Sequence, residues 1–155
     1  MYRRILLAID GSRSSLNALE QAVSMALATH AEVSAMFVVD DSDLLFEIRP
    51  GYRPWLMAEI IAYGKQVLAR AGERLSAAGV RWSSRLTETP GTPAKVAEAI
   101  VAEADHWSAD IIVMGTHGHR GARRMVLGSV SEHVVNKTVR PVLLVRQPGC
   151  DSEGA

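Results

Sequence analysis

The sequence predicts one α/β domain: a doubly wound, five-stranded parallel sheet with helices on both faces. Three observations carry this. Five short apolar runs alternate with four stretches of helical spacing. The first strand, helix and second strand fit within about 40 residues, the signature of a right-handed crossover between parallel strands. The 155 residues suit a single core, and no internal repeat or linker divides them.

Arg4–Asp10 is a continuous apolar run flanked by charge, as in a strand buried on both faces. GSRSS follows as a turn, with Ser12 or Ser14 to cap the first helix. There Leu16, Leu19, Val23, Ala26 and Leu27 recur at helical spacing and are expected inward, with Glu20 and Gln21 outward. Glu32–Val39 (EVSAMFVV) is the second strand, and residues 40–53, acidic and then broken by Pro50 and Gly51, read as a loop.

From Pro54 the chain reads as helix to about Ala78, although Gly64 and Gly72 weaken its propensity, and Gly79 terminates it. Val80–Leu86 alternates Val80, Trp82 and Ser84 against Arg81, Ser83 and Arg85, an edge-side strand with one wetter face. Thr92 and Pro93 form a strong helix start, with Val96, Ala99, Ile100 and Ala104 continuing it. Ile111–Met114 is the fourth strand, Ser129–Thr138 the last helix and Val142–Arg146 the last strand. The domain is expected over 1–147, with 148–155 a flexible tail.

Seventeen basic and seventeen acidic side chains cancel, so no global field recruits nucleic acid or an anionic membrane. The apolar run near the N-terminus stops at Asp10, too short for a signal peptide, and no stretch is long enough to span a bilayer. Cys150, the only cysteine, cannot close an internal disulfide. A cytoplasmic protein is expected.

An anion site must therefore be local, and the stretch IIVMGTHGHRGARRMVLGSVSE is the candidate. The fourth strand ends at Gly115, and Gly118, Gly121 and Gly128 follow, with His117, His119, Arg120, Arg123 and Arg124 between them. Glycines let backbone N–H groups approach phosphate oxygens, and Gly128-Ser129 opens a helix whose first amides favour negative charge. The arginines can add bidentate contacts. The competing reading is a structural crossover with solvated arginines. Neither a Walker loop nor the dinucleotide fingerprint is present, since no Gly-Lys-Ser/Thr occurs and the glycines follow the fourth strand.

The opening RRILLAIDGS, FVVD at the end of the second strand and ADIIVMGTHGHRGARRMVLGSVSEHVVNKTVRPVLLV together resemble the universal stress protein (UspA-like) family across residues 2–146. The spacing Gly-2x-Gly-9x-Gly-Ser is that of the family's nucleotide-binding branch. The resemblance implies an adenine nucleotide alpha hydrolase-like, Rossmann-like fold that binds ATP, or AMP or ADP, with Mg2+ as a candidate companion. It implies that Ala8 lines the base pocket, that Val38 meets adenine through its backbone, and that Asp10 lies near ribose, phosphate or a divalent metal. Met114 and Gly115 would flank the nucleoside, His117, Gly118, His119 and Arg120 would lie along the phosphates, and Thr116 would also belong to the nucleotide site. Gly128, Ser129 and Val130 would hold the terminal phosphates. The chain departs from some members at Ala8-Ile9, where a proline and a hydroxyl residue occur instead. The resemblance also implies a homodimer through the apolar last strand, an edge of the kind that pairs with its copy.

Other residues carry weaker signals. His117 and His119 supply too few ligands for zinc. Asp10 has a plainer reading as a strand-end cap, and Asp40-Asp41-Ser42-Asp43 reads as a solvated loop. Trp55, Trp82 and Trp107 read as packing residues, and His30 and His106 as surface. No Gly-x-Ser-x-Gly elbow suggests a serine hydrolase. Slow ATP hydrolysis or self-phosphorylation through Asp10 and a metal is the enzymatic alternative. A nucleotide-free interaction module and a flavin carrier are the remaining ones.

Overall fold

A computed structural model describes residues 1–40, 53–89, 92–117 and 127–147. The strands are β1 (Arg4–Ala8), β2 (Glu32–Asp40), β3 (Trp82–Thr89), β4 (Ile111–Gly115) and β5 (Val142–Val145). The helices are α1 (Arg13–Thr29), α2 (Arg53–Ala77), α3 (Pro93–His106) and α4 (Ser129–Lys137). All strand pairs are parallel, in the order β3-β2-β1-β4-β5. β1 is central, with Ile5 opposite Val33 on one side and Ile111 on the other.

Period-two alternation divides the central strands between two cores. Ile5, Leu7 and Ile9 point with Val33, Ala35 and Val113 to the side where Leu19, Val23, Leu68 and Leu75 of α1 and α2 pack. Leu6, Ala8, Met36, Ile112 and Met114 point to the other, against Val96, Ile100 and Ala104 of α3 and Val134 of α4. Burial on both faces accounts for the continuous apolar runs in the sequence.

The structure corrects three expectations. Leu16 and Leu27 are 52% and 54% exposed. The buried stripe of α1 is Ser14, Ser15, Ala18, Leu19, Ala22, Val23 and Ala26, which keeps the expected Leu19, Val23 and Ala26 and leaves Leu16 and Leu27 to its side. Small residues on that stripe bring α1 close to the sheet. β3 begins at Trp82 rather than Val80, because the Val80 amide donates to the Leu75 carbonyl at 3.0 Å. With Gly79 at φ +75, this closes the C-terminus of α2. β3 then pairs with β2 as far as Asp40–Thr89, and it is an edge strand, as its alternation predicts. Trp55 is 62% exposed and so is not a core residue. Trp82 does pack: its ring occupies the space beside Gly72, and its Nε1 donates to Ser76 Oγ at 2.7 Å.

Candidate functional site

The strand order reverses between β1 and β4. β1 passes through α1 to β2 on one side, and α3 carries the chain back across to β4 on the other. Side chains and loops part at such a point, leaving a crevice at the carboxyl ends of the strands. Here it is a cavity of about 420 Å³.

Its inner wall is apolar. Ala8 ends β1, Met36 and Val38 come from β2, and Met114 comes from β4, while Val96 and Ile100 of α3 close the side. Its outer wall is polar: Asp10, Ser12 and Ser15 follow β1, Thr116 and His117 follow β4, and Gly128, Ser129, Val130 and Ser131 open α4. Asp40, at the end of β2, and Tyr63 of α2 also reach it.

The turn after β1 is held by its own side chains. Asp10 Oδ1 accepts from the Ser12 amide at 2.9 Å, and Gly11 between them adopts φ +85, a conformation that favours glycine. Ser12 caps α1, its Oγ accepting from the Ser15 amide at 3.3 Å, and Ser15 Oγ donates to the Ser12 carbonyl at 2.9 Å. Ser14 Oγ donates to the His117 carbonyl, so the start of α1 is bonded to the segment that leaves β4. The Thr116 amide in turn donates to the Val145 carbonyl of β5 at 3.0 Å, and Thr116 Oγ1 and His117 Nδ1 lie 3.0 Å apart.

α4 begins differently. Where Ser12 caps α1 and Thr92 caps α3, among the described residues no side chain caps α4, whose N-cap is Gly128. The Gly128 amide donates to the Thr116 carbonyl at 2.6 Å, and Ser131 Oγ donates to the same carbonyl at 2.9 Å. An uncapped helix start presents amide donors and the positive end of the helix dipole, and here it forms part of the cavity wall.

Of the residues singled out in the sequence, Ala8, Asp10, Val38, Met114 and Gly115 line this one cavity. So do Thr116, His117, Gly128, Ser129 and Val130. Gly118, His119 and Arg120, like Gly121, Arg123 and Arg124, lie outside the described residues. Two glycines have a reason the sequence reading did not contain. A Cβ on Gly115 would overlap Ser14, and one on Gly128 would stand 2.9 Å from the Thr116 oxygen. Both permit one protein segment to approach another, whatever else they face.

Sequence reasoning missed Tyr63, Val96, Ile100 and Ser131 as cavity residues. Val96 and Ile100 were legible as one helix face, but only the crossover of α3 to β4 brings that face here. Asp40 carried a usable signal, because it ends a strand next to the switch point. Among the described residues, no three His, Cys, Asp or Glu side chains gather as a metal site.

A ligand-sized crevice at the switch point of a parallel sheet, apolar within and edged by a helix N-terminus, is that of a Rossmann-like α/β domain. The model of the universal stress protein family matches residues 1–146. The chain belongs to that family. Universal stress protein MJ0531 of Methanocaldococcus jannaschii is 37% identical over 150 residues, covering 96% of this chain and 84% of the relative. The solved structure of MJ0577, a universal stress protein of the same organism, aligns with a TM-score of 0.80 at 27% identity over 94% of this chain and 96% of that one. A universal stress protein solved in complex with cAMP aligns with a TM-score of 0.62 at 28% identity, over 94% and 98% of the two chains. Among the described residues, no helix is long and apolar enough to cross a membrane.

Proposed function

We propose that this chain binds an adenine nucleotide in the switch-point cavity and acts as a nucleotide-dependent regulator in the stress response. The observation that carries the reading is the joining, in one cavity, of an apolar wall to a helix N-terminus that none of the described side chains caps. A purine ring suits the space between Ala8, Met36, Val38, Val96, Ile100 and Met114. Phosphate suits the opposite end, where Gly128, Ser129 and Val130 start α4. The crystallised relative in complex with cAMP supports the same ligand class.

In this reading Asp10 stands between the two ends, beside the ribose and first phosphate. Thr116 and His117 border the phosphate path, and the sequence adds Gly118, His119 and Arg120 to it. Two carboxylates, Asp10 and Asp40, line the cavity. A triphosphate entering beside them needs compensating positive charge. Mg2+ bound to phosphate oxygens and Asp10 would supply it, and the donor chemistry of a carboxylate suits that ion. ATP binding should then depend on Mg2+ more than AMP binding does.

The chemistry is mainly occupancy: a ligand that prefers one arrangement of the cavity edge shifts the chain toward that arrangement. Efficient turnover is not part of the proposal, because no lysine stands in the described cavity wall. We also propose a cytoplasmic homodimer paired through β5, which ends the sheet with the apolar sequence Val142-Leu143-Leu144-Val145.

Isothermal titration with ATP, AMP and cyclic AMP, each with and without Mg2+, tests the central claim. Absence of heat for all three nucleotides under both conditions would overturn it in favour of a nucleotide-free interaction module. Sedimentation velocity tests the dimer, expected at twice the 16.8 kDa chain mass.

A further inference from the structure

Tyr63 stands apart from the other residues of α2. It forms a wall common to the switch-point cavity and to a second hollow of about 280 Å³ between α1 and α2. It is 41% exposed, so filling the core does not explain a large aromatic there. Among the described residues, two contacts hold its ring in place. One is edge-on to Phe37 of β2, with centroids 6.1 Å apart and planes at 78°. The other is to the turn after β1: Tyr63 Cζ lies 2.9 Å from where a Cβ on Gly11 would be, and the hydroxyl lies closer still. The neighbouring Gly64 allows this seating, since a Cβ there would stand 2.6 Å from Phe37 Cδ1.

Gly11 is the central residue of the turn in which Asp10 Oδ1 accepts from the Ser12 amide. We propose that Tyr63 is a positioning residue for Asp10: its ring, braced on Phe37, presses on Gly11 and holds the Asp10–Ser12 turn in the conformation that points the carboxylate along the cavity edge. The 25-residue helix α2 is thereby coupled to the site through one side chain on its inner edge. Whatever steadies Asp10 steadies the seating of α2, and whatever loosens α2 frees the turn. The turn itself is an observation of the structure, and only the consequence for ligand affinity rests on the nucleotide reading.

The test compares Tyr63→Leu and Tyr63→Phe with the unmodified chain by amide hydrogen exchange and by AMP titration. In Tyr63→Leu the Ser12 amide should exchange about tenfold faster while the Val23 amide, in the core of α1, is unchanged. Tyr63→Phe keeps the ring on Phe37 but removes the hydroxyl, the atom nearest Gly11, and should speed Ser12 exchange less than Tyr63→Leu does. The AMP dissociation constant should rise about tenfold in Tyr63→Leu, and this effect should largely vanish when Asp10→Ala is also present, because both changes remove the same positioned carboxylate. Ser12 exchange unaltered by Tyr63→Leu, or accelerated only together with Val23, overturns the proposal. So does a loss of affinity that persists undiminished in the Asp10→Ala background. If the unmodified chain binds no nucleotide, the nucleotide reading fails, and the exchange comparison alone decides the role of Tyr63.

Discussion

The Gly128 amide donates to the Thr116 carbonyl at 2.6 Å, joining the start of α4 to the residue that follows β4. This bond closes the two ends of the intervening segment onto each other and fixes where the α4 N-terminus stands at the cavity edge. A methyl group at 128 would stand 2.9 Å from the Thr116 oxygen and 3.3 Å from His117 Cα, both backbone atoms that cannot swing aside.

Gly128→Ala should therefore displace the α4 start rather than fill a void. The expected cost is about 1–3 kcal/mol of stability, as for other overpacked sites, read from urea unfolding midpoints. The functional signature is selective: affinity for AMP or ATP should fall by about tenfold or more while adenosine is held nearly as before. Equal losses for nucleoside and nucleotide would show that the α4 N-terminus does not meet phosphate.

Asp10→Asn separates the structural and chemical roles of that side chain. Asparagine keeps an oxygen that can accept from the Ser12 amide, now bonded at 2.9 Å, so this bond of the turn is retained. The charge is gone, so Mg2+ should no longer strengthen ATP binding. The same variant addresses the enzymatic alternative. Phosphate release well above background in the unmodified chain, lost in Asp10→Asn, would establish slow hydrolysis through this carboxylate.

Much of this was legible because local and global signals agree. Thr92-Pro93 starts α3, and the apolar run from Ile5 forms the central strand β1. Asp10, Val38 and Met114 were assigned to one site through the family resemblance, and they line one crevice because strand ends near a switch point converge. Elsewhere packing decided the outcome. On α1, Leu19, Val23 and Ala26 are inward as expected, but Leu16 and Leu27 are not, and small Ser14, Ala18 and Ala22 complete the stripe. Tyr63, Val96 and Ile100 reach the cavity only through the path of the chain in space, which spacing along a helix does not contain.

At the opposite pole of the sheet, Asp110 Oδ2 accepts from the Arg3 amide at 2.7 Å and the Arg4 amide at 2.9 Å. These two backbone bonds hold its carboxyl below the ordinary aspartate range. The folded state thus binds this proton less tightly than the unfolded chain. The resulting stability is complete above the unfolded pKa of about 3.9 and is lost as the pH falls through the lower folded value. Asp110→Ala should cost about 1 kcal/mol at neutral pH, the side chain being partly open to water. The cost should shrink toward zero as the pH falls through the lowered folded value. A difference that stays constant across the acid range would mean that shape, not charge, underlies it.

Gly115 and Ser14 supply the last test. A Cβ at 115 would meet Ser14 Oγ, but also Ser14 Cβ at 2.8 Å and the Ser14 carbonyl carbon at 2.9 Å. Removing the hydroxyl therefore cannot make room, because the backbone of α1 is itself in the way. Gly115→Ala should cost about 1–3 kcal/mol by pushing α1 off β4. Ser14→Ala loses a hydrogen bond to the His117 carbonyl and should cost about 1 kcal/mol alone. In the double variant Ser14→Ala should recover little of the Gly115→Ala loss, whereas Ser14→Gly should recover more by deleting the Cβ as well. Urea midpoints for the four variants decide the matter. Full recovery with Ser14→Ala would mean that only the hydroxyl, and not the close seating of α1 on the sheet, requires glycine at the end of β4.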